Sequence, residues 1–173
     1  MRDSGWARPC GIALLCSPPM NPAQRTLRDL VQAQRIAALG TLHQGEPFVS
    51  MVPFAPLAAA PGIVIHVSGL SSHTGDMLAS PRVSLMIAAP ETPDEPAQAL
   101  PRVTMQGDAE QIMDSAPGYT AAREAYLARF PHAAGIFELP DFSLFVILPV
   151  SIRFISGFGR ASTLGPDAFA AAF

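Results

Sequence analysis

Apolar and polar residues alternate through most of this chain, and in a few places the alternation gives way to helical spacing. Leu27, Leu30 and Val31 follow Asn21-Pro22, a cap residue with proline at the first helical position, and predict a helix from Pro22 to about Gln34. From Ile36 the period becomes two. Ile36 to His43, a turn at Gln44-Gly45-Glu46 and Pro47 to Ala55 read as a hairpin, with Pro53 placing its strand at an edge or bulge. After a loop over Leu57 to Gly62, a third strand runs from Gly62 to Ser68 and a short helix from Ser72 to Ala79, stopped at Ser80-Pro81. Arg82 to Ala89 is the fourth strand, with Val83, Leu85 and Ile87 on one face, and Pro90 to Ala99 is a surface loop. Leu100 to Met113 reads as a long fifth strand bent at Gly107. Ser115 can cap a helix reaching Phe130, with Tyr119, Ala122, Tyr126 and Phe130 along one stripe and Pro131 ending it. Phe142 to Leu148 and Ser151 to Phe158 form two last strands, joined by a tight turn at Pro149-Val150. The pattern predicts a mainly β protein: a closed or partly closed antiparallel barrel of six to seven strands with peripheral helices.

Composition adds a partner. The chain has 173 residues, 49% hydrophobic and 14% charged, against about 25% charged in typical soluble domains. That balance implies surface buried in a second copy, hence a homodimer. The net charge of −3 and the lack of a basic run exclude nucleic acid as a partner. Cys10 and Cys16 fit no zinc spacing or disulfide framework and read as unpaired thiols in a reducing cytoplasm. Gly11 to Leu15 is too short for a signal-peptide core, and no apolar run is long enough to span a membrane. Residues 1–20 read as a loosely attached arm, 21–165 as one domain and 166–173 as a tail.

The chemistry-bearing residues are sparse. His43, His66, His73 and His132 are scattered and form no metal-ligand pair, Ser68 is not in a nucleophile elbow, and no P-loop occurs. Gly157-Phe158-Gly159-Arg160 starts like a dinucleotide loop, but Ser162 stands where a third glycine belongs. An enzyme of this kind borrows its chemistry from a cofactor. One junction stands out. The strand ending at Val67-Ser68 feeds Ser71-Ser72-His73-Thr74 at a helix start, where free backbone N–H groups and the helix dipole favour an anion. Ser72, His73 and Thr74 are candidate phosphate donors. The alternative is an ordinary cap in which Ser71 or Ser72 satisfies its own helix.

Seven pieces in order carry a resemblance. They are Ala38-Leu39-Gly40-Thr41-Leu42, then Gly45 to Phe54, Leu70-Ser71-Ser72-His73-Thr74, Pro81 to Ile87, Arg102 to Gly107, Asp141-Phe142 and Gly157 to Ala161. Over residues 21–165 the chain resembles the FMN-binding split barrels related to pyridoxamine 5′-phosphate oxidase, and among them the haem-utilisation subgroup. The resemblance implies a homodimer with FMN in a cleft between two barrels. Ser50, Met51, Val52 and Pro53 match the strand beside the flavin ring, and Val67 and Ser68 the ribityl side. Ser72, His73 and Thr74 match the phosphate site, and Arg102 the ring's pyrimidine edge. Plainer roles stand beside these: Ser50 as an outward strand residue, Arg102 as an edge-strand charge, Gly157-Phe158-Gly159 as a bulge and turn, and His66 as a satisfied strand residue. The family often has a basic residue and an amide after its His-Thr pair, where Gly75 and Asp76 stand here. Its haem-degrading members carry a further C-terminal domain. Two functions follow as expectations. One is an FMN-dependent oxidoreductase passing electrons from NAD(P)H to a small molecule or oxygen. The other is a non-catalytic dimer storing or sensing haem or flavin, with His132 or His66 as axial ligand.

Overall fold

The computed structural model describes residues 20–57 and 61–173, so the N-terminal arm with its two cysteines and part of the 57–62 loop lie outside the described residues. In chain order the elements are α1 (Pro22–Ala33), β1 (Ile36–His43), β2 (Glu46–Leu57), β3 (Gly62–Ser68), α2 (Ser72–Ala79), β4 (Arg82–Ala88), β5 (Arg102–Ile112), α3 (Tyr119–Arg129), β6 (Phe142–Ile155), β7 (Ala161–Leu164) and α4 (Pro166–Ala170). Short 3-10 stretches occupy Ala97–Ala99 and Pro131–Glu138.

The strands lie in the order β3-β2-β1-β4-β5-β6-β7, and β3 pairs again with β6. Six antiparallel strands therefore close a barrel, and β7 hangs outside it on β6. Closure leaves few free edges to pair with other chains. Inward positions alternate as the period demands. Leu39, Val52, Phe54, Ile63, Ile65, Leu85, Met105, Ile147 and Phe154 fill the barrel, joined by Leu27, Leu30 and Val31 of α1. The strand β3 is buried on both faces, because Val64 lies beneath α3 in a second cluster with Ala122, Tyr126 and Phe130.

Local chemistry explains the joints. Asn21 and Gln24 cap each other's backbone at the start of α1. Gln44 and Gly45, with φ of 54° and 87°, form the two-residue turn between β1 and β2, the left-handed pair that matches strand twist. Pro53 explains an opening in the barrel. The pairing of β2 with β1 runs through Pro53, whereas its pairing with β3 begins only at Phe54. Phe54 N–H donates to Arg35 O on the β1 side. Successive amides point to opposite sides, so the N–H that Pro53 lacks falls where β2 has no neighbour. The wall is split along β2 ahead of this proline.

Two expectations are corrected. The last two strands are one continuous strand, β6, and the expected turn at Pro149-Val150 is a bulge: Gly107 faces Pro149, Gln106 faces Ser151, and Val150 is the extra residue. Proline is tolerated at a bulge because no ladder donor is needed there. The bulge also brings β5 and β6 so close at Gly107 that a Cβ there would collide with the Leu148 carbonyl. Ser115 does not cap α3. Pro117 has no N–H, and Gly118, left-handed at φ 95°, separates the Ser115 turn from the helix and takes the cap position. At the C-terminus, Phe169 of α4 and Ala172 just beyond it are buried against the barrel core.

Candidate functional site

The split in the wall opens into a groove of about 260 Å³ between β2, β3, α2 and α3. Met51, Val52 and Pro53 form one side, and His66, Val67 and Ser68 the other. Ser71 and His73 close one end, and Tyr126, Ile136 and Phe142 the far side. Six of the ten residues expected to hold a cofactor, Met51, Val52, Pro53, Val67, Ser68 and His73, thus meet in one place.

The other four lie elsewhere or are committed. Ser50 lines a separate trough of about 390 Å³ on the outer face of β1, β2 and β4, and its hydroxyl is buried with no hydrogen-bond partner. Ser72 is exposed on the first turn of α2 and outside the groove lining. Thr74 is buried, and its hydroxyl donates to Ser68 O at 2.6 Å. Arg102 stands opposite Ala88 at the start of β5, with its guanidinium donating to Gln98 O at 3.2 Å and Leu100 O at 3.1 Å. The ordinary cap does not form: Ser71 makes no side-chain cap hydrogen bond, and Thr74 N–H donates to Ser71 O instead.

His66 sits at the floor of the groove in an aromatic box. Its ring stacks on Phe137 with centroids 3.9 Å apart and planes 8° from parallel, and Tyr126 and Phe142 flank it at 5.6 and 5.2 Å. The residue is 7% exposed, and burial pulls its imidazole down to a pKa of about 4. Burial also lowers His73, outweighing the opposite pull of Asp76. Both groove imidazoles are therefore neutral at neutral pH. Tyr126 is raised by burial and keeps its phenol proton.

Asp76 does not face the groove mouth as a free charge. Thr41 Oγ1 donates to its Oδ2 at 2.8 Å, and His43 Nδ1 lies 2.8 Å from its Oδ1, tying α2 to β1. Burial pushes this carboxyl up, but the hydrogen bonds from His43 and Thr41 outweigh it and hold the pKa below the usual range. Ser68 Oγ donates to Asp141 Oδ2 at 2.7 Å, and Gly69 N–H donates to Asp141 O. The sequence offered no sign of this Ser68–Asp141 link, because Ser68 ends β3 and Asp141 lies in the turn before β6, brought together only by folding.

The walls are largely apolar and aromatic, and the polar side chains of His66, His73, Ser68, Ser71 and Tyr126 are uncharged at neutral pH, which suits a planar ring such as a flavin or a porphyrin, whose iron binds neutral imidazole. At the α2 end, among the described residues, no arginine lines the groove, the Ser68 and Thr74 hydroxyls bond Asp141 and Ser68 O, and the Ser71 hydroxyl makes no cap bond.

The model of the family described as "CREG, beta-barrel" matches residues 18–171 of this sequence. The chain belongs to the CREG β-barrel family. Within this family's reach lie haem-utilisation proteins. The chain is 38% identical over 119 residues to the chloroplastic heme oxygenase HOZ of Arabidopsis thaliana, covering 69% of this chain and 35% of that protein. It is 27% identical over 143 residues to heme oxygenase HutZ of Vibrio cholerae, covering 82% and 80%. A solved heme binding protein from Mycobacterium smegmatis superposes with a TM-score of 0.77 at 29% identity, covering 89% of this chain and 62% of the other. The chain thus spans about a third of HOZ and under two thirds of the mycobacterial protein. Pyridoxamine-phosphate-oxidase-like and FAD-binding barrels, all below 25% identity, share the CREG-type fold with it. No helix among the described residues is long and apolar enough to cross a membrane.

Proposed function

We propose that this chain is a haem-binding module that works as a homodimer in the cytoplasm, holding the tetrapyrrole in the groove of the split barrel. The observation that carries the reading is the groove itself: largely apolar walls with a neutral, buried His66 at the floor. The names of HOZ, HutZ and the mycobacterial protein support it. Bound haem supplies redox and oxygen chemistry when a reductant is present. The chain's own part is to bind the ring, exclude water from it and present an uncharged imidazole. Of the two proposed axial ligands, His66 lines the groove, whereas His132 is exposed on the 3-10 stretch with its ring against Phe130.

The dimer reading rests on the outer face of β1, β2 and β4, where Ile36, Val49 and Met51 are 54%, 68% and 62% exposed and lie beside Met86. Apolar side chains side by side on a sheet face are costly in water and favour a covering partner. A single groove is smaller than a tetrapyrrole, so a second copy on this face would complete the enclosure.

The FMN-dependent oxidoreductase reading draws support from the fold and from the groove's fit to a ring, and less from the phosphate end. Titrating the purified protein with haemin and, separately, with FMN decides between them. The haem reading expects a sharp Soret band at one equivalent per chain, weakened by His66→Ala and kept by His132→Ala. Stoichiometric flavin binding without a Soret band would overturn it.

A further inference from the structure

Tyr126 of α3 carries a donor that the fold leaves unused. The residue is 4% exposed, and burial keeps its phenol protonated. A buried tyrosine hydroxyl ordinarily finds a hydrogen-bond partner. Among the described residues nothing bonds the Tyr126 Oη, and yet it is not one of the sealed orphan atoms, which are Ser50 Oγ and Arg129 Nε. The hydroxyl therefore reaches open space. The cavity that Tyr126 lines is the groove, beside His66, Ile136 and Phe142. The ring that carries the hydroxyl is held on several sides. It meets His66 edge-on at 5.6 Å, Phe130 at 4.9 Å and Phe137 at 6.1 Å, and Val64 and Ala122 pack in the same cluster. This packing fixes the oxygen in place, and only the O–H proton is left to turn. By contrast, the Ser68 hydroxyl at the α2 end is spent on Asp141.

We propose that the Tyr126 phenol is the hydrogen-bond donor with which this groove takes hold of an acceptor oxygen on its ligand. The proposal rests on the haem reading above, in which the acceptor is a propionate, because the propionates carry the only oxygens of haem. An O–H donor facing a carboxylate makes a short, charge-assisted bond. A phenol does so as a neutral group, so the empty groove holds no buried charge there. The ligand is then gripped at two points, by His66 at the iron and by Tyr126 at the edge. Two points fix the rotation of a flat ring, whereas one does not.

The test is Tyr126→Phe, which keeps the ring and deletes one oxygen. Haemin is titrated by Soret absorbance into the wild-type chain and the variant, and thermal melts of both apo proteins are recorded. The variant is expected to lose about 10- to 100-fold in haemin affinity. Its bound Soret maximum stays in place, because His66 still holds the iron. Its apo Tm is no lower than that of the wild type, because the deleted hydroxyl had no partner in the fold. Unchanged affinity would show that the phenol does not meet the ligand. A fall in apo Tm would show that the hydroxyl is bonded inside the fold, and a displaced Soret band that it acts at the iron instead of the ring's edge. Each of these overturns the proposal and leaves the haem reading standing. A wild-type chain that gives no Soret band overturns both.

Discussion

Acidification should destabilise this fold through His66. In the folded chain the His66 imidazole resists protonation down to about pH 4, against an ordinary value of 6.5. Between those values the unfolded chain binds the proton and the folded chain does not, so stability falls as pH falls. The gap of about 2.5 units at about 1.4 kcal/mol each caps the effect at roughly 3 kcal/mol, of which about 2 kcal/mol is already lost at pH 5. For a domain of this size that is a drop of about 4–8 °C in Tm. The control is His66→Phe, which keeps a flat ring in the Phe137 stack but cannot take a proton. Thermal melts of the apo protein at pH 7 and pH 5 should show a smaller drop in the variant, by about 2 kcal/mol. Parallel pH profiles in the two proteins would refute the reasoning, as would an NMR titration placing the His66 pKa near 6.5.

Other parts of the structure give independent outcomes. Gly107→Ala should cost about 1–3 kcal/mol, because the new methyl meets the Leu148 backbone and backbone cannot swing aside. Gly75→Ala, with open space at its Cβ inside α2, should gain about 0.5–1 kcal/mol. Urea denaturation separates the two, and similar midpoints for both would contradict the packing at the bulge. Asp76→Asn should lower Tm at neutral pH by weakening the tie from α2 to Thr41 and His43. Since the Asp76 carboxyl is held below its usual value, its stabilising effect is present above about pH 4 and is lost as pH falls through the lower folded value. The variant should therefore flatten the acid limb of the stability curve below that pH, and an unchanged limb would count against the tie. Met51→Glu sets a charge in the middle of the exposed apolar face of β1, β2 and β4. Light scattering should show the dimer becoming monomer, and a dimer that persists would place the interface elsewhere.

Much of the fold is legible in the chain because period and punctuation agree. The spacing that puts Val83, Leu85 and Ile87 on one face is visible before folding, and the structure buries all three. Asn21-Pro22 and Ser80-Pro81 mark helix ends where they occur. The misreadings share a cause. A proline reads as a stop, and Pro149 looks like a turn until β5 lies alongside and the extra residue Val150 becomes a bulge. The polar partners at the groove were less legible. Ser68 with Asp141, and Asp76 with Thr41 and His43, join residues far apart in sequence, and no local pattern announces them. His66 was visible as an isolated polar residue in an apolar strand. Its box of Phe137, Tyr126 and Phe142 comes from three separate elements, and its depressed pKa follows from that packing.

The account stands on where the ring of a bound haem lies. Methyl and aromatic NMR signals of the chain can be followed as paramagnetic haemin is added at one equivalent. The prediction is that Val52, Val67, Tyr126 and Phe142, which line the groove, broaden first, while Thr163 and Leu164 on β7, at the other end of β6, keep their intensity. Broadening centred on any other face, with the groove signals unchanged, would contradict it.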